Sequence, residues 1–157
     1  MLTLSLLLQK PDNIGFDSND ILKIFDFGLA KELKEEEKDE NGLYNLTGLT
    51  GGIRYMAPEV GRGERYNLLA DVYSWSMLVW YIMALEPPLG MYTQRLHIDR
   101  VFMKGYRPAI KEKWPPKLSN LMRSCWSDNI KKRPDFKKIM IVLKELIAKP
   151  DIGPQQR

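Results

Sequence analysis

The chain has 157 residues, 44% of them hydrophobic and 28% charged, which is the ordinary balance of one soluble globular domain with its own core. The net charge is a mild +4, and the basic residues are scattered apart from Lys131-Lys132-Arg133 and Lys137-Lys138, so the reading is solvated helix faces and no nucleic-acid surface. Cys125 is the single cysteine, which excludes an internal disulfide and a cysteine-based zinc site.

Residues 1–8, Met-Leu-Thr-Leu-Ser-Leu-Leu-Leu, are apolar but brief, with no basic leading segment and no small-residue cleavage site. They do not read as a signal peptide, and an intracellular, cytoplasmic protein is expected. Gln9-Lys10-Pro11-Asp12-Asn13 has loop chemistry. Ile14–Phe16 and Ile21–Phe25 read as two strands joined by the turn signal Asp17-Ser18-Asn19-Asp20, hence a hairpin. Residues 31–42 are dense in Lys, Glu and Asp and read as a solvated, mobile insertion; glycines at 42, 48, 51 and 52 extend an irregular loop to about residue 54. Ala57-Pro58-Glu59-Val60 can open a short helix, with Pro near its first turn.

Asn67 to Leu85 is the dominant segment. Asn67 is a fair N-cap, Glu86-Pro87-Pro88 ends the run, and the residues between are apolar on every face. Such a helix must be surrounded. It is slightly short for a membrane span and carries Asp71, so the spacing predicts a buried core helix and no membrane crossing. Three more helices are expected, over Gln94–Met103, Leu118–Ser127 and Asp135–Ala148, with a break at Trp114-Pro115-Pro116. In the last of them Asp135 can cap, and Phe136, Ile139, Met140, Leu143, Leu146 and Ile147 recur at helical spacing. Residues 150–157 read as a flexible tail. The expected fold is mainly α with one short β-hairpin.

The chemistry sits at the ends of the hairpin. Asn13 precedes its first strand and Asp26 follows its second, so pairing can draw an amide oxygen and a carboxylate together. Hard oxygens of this kind suit Mg²⁺, which proteins usually hold by one or two carboxylates plus substrate phosphates. Lys10, three residues before Asn13, can set a positive charge on a phosphate. Asn and Asp at strand ends are also common caps and turn formers.

Lys10-Pro11-Asp12-Asn13, Asp26-Phe27-Gly28 and Ala57-Pro58-Glu59, in this order and spacing, resemble the second half of a eukaryotic protein kinase domain. Asp71-Val72-Tyr73-Ser74-Trp75 resembles that family's central helix, and Cys125-Trp126 and Arg133-Pro134-Asp135-Phe136 its closing helices. Lys10 follows the serine/threonine pattern, and the ending resembles the tyrosine-kinase-like branch. The resemblance spans residues 9–149 and implies a helical C-terminal lobe, ATP with Mg²⁺, and a protein substrate or partner; the oligomeric state stays open. It implies Asn13 and Asp26 as Mg²⁺ ligands and Lys10 as the neutraliser of the transferring phosphoryl group. It also implies an activation segment over residues 26–59, with Tyr44, Thr47 and Thr50 as phosphorylation candidates. Glu59 would pair with Arg133, and Asp71 would accept amide protons from the catalytic loop.

Three departures bear on activity. The family's catalytic base falls on Leu8, which can neither orient nor accept a proton; general-base catalysis is typically worth about 10²–10⁴-fold. The sequence holds no glycine-rich phosphate loop after a strand and no Val-Ala-Ile-Lys-like lysine of the N-terminal lobe. The slot seven residues before Glu59, usually Ser or Thr, is Gly52. Two expectations follow: an incomplete reading of a longer kinase in which residues 1–8 are spurious, or a one-lobed, inactive, pseudokinase-like binding module.

Overall fold

The computed structural model describes residues 4–5, 10–28, 30–46 and 52–148. Strand β1 (Leu4–Ser5) leads to a 3₁₀ turn over Pro11–Asn13, then to β2 (Ile14–Phe16) and β3 (Leu22–Ile24). β2 and β3 form the expected hairpin, antiparallel with Ile14 opposite Ile24 and Phe16 opposite Leu22. Its turn is fixed by Asp17, whose carboxylate accepts the Asn19 and Ile21 amides at 2.8 and 3.0 Å, while Asp20 takes a left-handed φ of 59°. β4 (Lys31–Glu32) pairs antiparallel with β1. Helices α1 (Pro58–Gly61), α2 (Leu69–Ala84), α3 (Gln94–His97), α4 (Pro116–Cys125) and α5 (Phe136–Ala148) follow. A wider π turn continues α3 through Ile98–Met103, so the helical stretch expected at Gln94–Met103 is present with two windings.

α2 is the central rod. Asn67 sits two residues before it and caps it by accepting the Leu69 amide at 3.0 Å, and the helix stops where Leu85 turns left-handed with φ 58°. Ala70–Ser74, Ser76–Leu78 and Trp80 are buried, packed among Met56, Val60, Tyr66, Phe102, Trp114 and Met122. The Trp80 indole donates to the Ala109 carbonyl at 2.9 Å and meets Trp114 edge-on at 6.0 Å. A second cluster, Val72, Leu121, Cys125 and Ile139, ties α4 and α5 to the opposite side of the rod. Cys125 is fully buried, and burial pushes its thiol up to about 12, an inert state.

Three expectations need correction. α2 is not surrounded on one face: Ile82 is 58% exposed, beside an apolar groove of about 620 Å³ that runs between the hairpin and Trp75, Leu78, Val79 and Ile82. α5 buries Ile139 and leans Val142 and Leu143 on the core, whereas Phe136, Met140 and Ile147 face outward. Both stripes have helical spacing, and only the packing partner chooses between them. The charged stretch 31–42 is not a free insertion. It contains β4, the buried Leu33 and a 3₁₀ turn over Glu35–Glu37, and it ends docked on residues 65–67. Residues 1–3, 6–8, 47–51 and the 150–157 tail lie outside the described residues.

Candidate functional site

The hairpin sets the first part of the site. The 3₁₀ turn folds Asn13 back so that its amide donates to the Lys10 carbonyl at 3.0 Å, and the Asn13 carbonyl in turn accepts the Phe25 amide at 2.7 Å. That bond extends the β2–β3 ladder by one pair and brings Asp26, the next residue, to the same end of the hairpin as Asn13. Asn13 is buried at 8% exposure, while Asp26 is open to solvent. Asp26 holds a left-handed φ of 58°, a region where Asp is enriched among non-glycine residues. Its Oδ1 accepts the Gly28 amide at 3.1 Å, so the local chain holds the carboxylate in place. The donor set is one amide oxygen and one carboxylate, both hard oxygens, and it fits Mg²⁺ completed by phosphate oxygens and water. Among the described residues no group of three His, Cys, Asp or Glu side chains could hold a metal by itself.

Lys10 is about one-third exposed and lies 3.8 Å from the Asp12 carboxylate. A Cβ on Gly52 would sit 3.8 Å from the Lys10 Cδ and 3.9 Å from the Tyr55 ring, ordinary contact distances. Gly52 therefore lies against the lysine, and the position accepts a side chain. Tyr55 is buried, and burial, with the Tyr81 and Asp12 charges, pushes its phenol up to about 12.

A buried ion pair pins the next part. Arg133 donates to both oxygens of Glu59 at 2.6 and 2.8 Å, to the Ser127 carbonyl at 2.9 Å and to the Leu69 carbonyl at 2.9 Å. Its guanidinium also lies 5.3 Å from the centre of the Tyr73 ring. The pair joins α1 to the start of α2 and the approach to α5.

Asp71 is 3% exposed, in the first turn of α2, where a negative charge meets the positive end of the helix. One of its oxygens accepts the Ser5 hydroxyl at 3.0 Å. Ser5 is fully buried in β1, within the stretch 1–8 that one of the two sequence expectations set aside as spurious. The neighbouring Tyr66 is also fully buried, and burial, then the Asp71 charge, pushes its phenol up to about 12. Neither Ser5 nor Tyr66 stood out in the sequence, since both reach Asp71 through tertiary packing. Leu8, Thr47 and Thr50 lie outside the described residues, whereas Tyr44 is buried at 6% exposure.

A family model described as protein tyrosine and serine/threonine kinase matches residues 10–143. This chain is a member of the protein kinase family. Its kinase relatives include the serine/threonine-protein kinases STY17 and VIK of Arabidopsis thaliana, 33% identical over 148 residues and 35% identical over 143. The dual specificity protein kinase shkB of Dictyostelium discoideum is 34% identical over 132 residues. These alignments cover 94%, 87% and 83% of this chain but only 24%, 31% and 19% of the respective relatives. The kinase-family chain thus spans less than a third of the length of these proteins. No helix among its described residues is long and apolar enough to cross a membrane.

Proposed function

We propose that this chain is the helical lobe of a serine/threonine protein kinase, belonging to a protein that moves the γ-phosphoryl group of ATP to a protein hydroxyl. Asn13 and Asp26 would hold Mg²⁺, and Lys10 would neutralise the phosphoryl group in transfer. The Mg²⁺ ion, when bound, supplies charge stabilisation for the phosphate oxygens. The observation that supports this reading is the 2.7 Å bond from the Phe25 amide to the Asn13 carbonyl, which leaves residues 13 and 26 at the same end of the hairpin. Asp26, held by the Gly28 amide, presents its carboxylate to solvent, and Lys10 stands one turn away.

By itself the chain does not complete the reaction. Leu8 fills the base slot and offers no carboxylate to the substrate hydroxyl, and Gly52 brings no hydroxyl of its own to Lys10. Purified chain mixed with Mg·ATP and a generic protein substrate should show no phosphotransfer above background, and turnover would refute this part. Mn²⁺ as a spectroscopic stand-in should bind weakly in the presence of ATP, and binding should vanish in Asp26→Ala. Equal binding in that variant would remove the metal assignment.

The apolar groove favours a second reading, a non-catalytic binding module. Phe16, Leu22 and Ile24 face Trp75 and Ile82 across it, and an exposed apolar surface of this kind marks a contact site. A partner bound there should be lost from Ile24→Lys, with the fold retained by circular dichroism. Retained binding would argue against this reading.

A further inference from the structure

We propose that the outer face of α5 rests on an anionic lipid surface, with its lysines on lipid phosphates and its apolar side chains reaching past them into the headgroup layer.

α5 turns two apolar stripes in different directions. Ile139, with Val142 and Leu143 beside it, packs on the core. The second stripe points away from the protein: Phe136, Met140, Ile141 and Ile147 are 37%, 51%, 58% and 80% exposed. Positions four or seven apart share one side of a helix. Phe136, Met140 and Ile147 therefore form one line, and Lys137 and Lys144 a second line next to it. Ile141, one turn after Lys137, closes the far side. The two lysines stand within the apolar face and not on its rim, and they line the same surface depression as Phe136, Met140 and Ile141.

No carboxylate of the helix answers these lysines. Asp135 serves the helix start, where it accepts the Lys138 amide at 2.8 Å, and Glu145 is held by Lys117 of α4. Lys137 and Lys144 are exposed, and among the described residues neither makes an ion pair.

That pattern selects the occupant. A protein seated here would bury both ammonium groups at the centre of its interface, from which lysine is depleted. Nucleic-acid phosphates would meet the lysines but give the apolar line nothing to enter. An anionic bilayer surface satisfies both: its phosphates lie where the lysine stems end, and the Phe, Met and Ile side chains enter the boundary between headgroups and acyl chains. The helix would lie along the surface and not through it, since it has 13 residues against the roughly 20 of a span. Attachment of this kind is reversible and weakens with salt.

Co-sedimentation of the full chain with lipid vesicles tests the face. Phosphatidylcholine vesicles with about one-third phosphatidylserine should carry the chain down, and pure phosphatidylcholine vesicles should carry at least about tenfold less. Lys137→Gln combined with Lys144→Gln should lower the partition coefficient about thirtyfold, equivalent to about 1 kcal/mol for each lysine. Met140→Ser combined with Ile141→Ser should lower it several-fold. All four side chains are exposed, so circular dichroism should show the fold retained. Ile24→Ser, in the groove beside α2, should bind vesicles as the wild type does, which separates this face from the groove. No sedimentation with the phosphatidylserine vesicles, or sedimentation of both α5 variants at the wild-type level, would overturn the proposal. Capture by an immobilised acidic amphipathic peptide without vesicle binding would also overturn it, and would make the face a protein contact.

Discussion

Arg133 reaches across 74 residues of sequence to grip Glu59 with two parallel hydrogen bonds, in a site where the two side chains are 0% and 2% exposed. Two more guanidinium protons go to the Ser127 and Leu69 carbonyls, so four of the five donors are satisfied and the desolvation of both charges is largely offset. Removing one member leaves a buried charge unpaired. Arg133→Ala is expected to lose roughly 3–5 kcal/mol, a large part of a typical domain's stability. Arg133→Lys should recover little, because an ammonium cannot reproduce the fork. Urea denaturation of the three proteins measures this, and a loss below about 1 kcal/mol, the ceiling for surface pairs, would show that the pair is solvated.

Ser5 and Asp71 make a second long-range bond, 66 positions apart and buried at both ends. A hydroxyl donating to a carboxylate is worth about 1.5–3 kcal/mol. Ser5→Ala is expected to destabilise by that amount, and Ser5→Thr to keep most of the bond while straining the strand. If residue 5 were foreign to the fold, Ser5→Ala would leave the denaturation midpoint where it was.

The sequence made the local elements readable. The Asp17–Asp20 turn, the Asn67 and Asp135 caps and the apolar run of α2 each depend on neighbours within a few positions, and each appears where its chemistry predicts: Asp135, for instance, accepts the Lys138 amide at 2.8 Å. What remained hidden depends on partners far along the chain. Residues 31–42 look like a solvated tract because nothing nearby in sequence shows that Arg65 and Asn67 will receive them. α5 carries two apolar stripes, and only the position of Val72 and Cys125 selects Ile139 over Met140. In the site, the motif spacing pointed to Asn13 and Asp26, whereas Ser5 and Tyr66 beside Asp71 became visible only in three dimensions.

Gly61 ends α1 directly under the Phe102 ring, and a Cβ there would lie 2.1–2.5 Å from ring carbons. Gly61→Ala should therefore cost about 1–3 kcal/mol by overpacking. Gly63, two residues on, has open space but a φ of 69°, so Gly63→Ala should cost about 1–2 kcal/mol through its backbone alone. The two causes separate in a double-mutant cycle: Phe102→Leu should relieve Gly61→Ala and not Gly63→Ala. Additive losses at Gly61 and Phe102 would show that the ring is not the obstacle.

His97 is 2% exposed between the Tyr92 and Phe102 rings, and neither of its ring nitrogens has a hydrogen-bond partner among the described residues. Burial first, then the Arg54 and Arg107 charges, push its pKa down to about 4. In the unfolded chain the same imidazole titrates near 6.5. Between these values the unfolded state binds the extra proton, so stability must fall as pH drops from about 6.5 toward about 4, by a total of about 3 kcal/mol from this residue. Above about pH 6.5 both states are neutral and the residue adds no pH dependence. His97→Phe removes the titration and the unpaired nitrogens together. The stability difference between wild type and variant, measured by urea denaturation, should be flat above pH 7 and widen in favour of the variant toward pH 4.5. Carboxylates common to both proteins cancel in that difference. A gap that stays constant down to pH 4.5 would mean that His97 takes up its proton in the folded state, which its buried place between two aromatic rings and two guanidinium groups opposes.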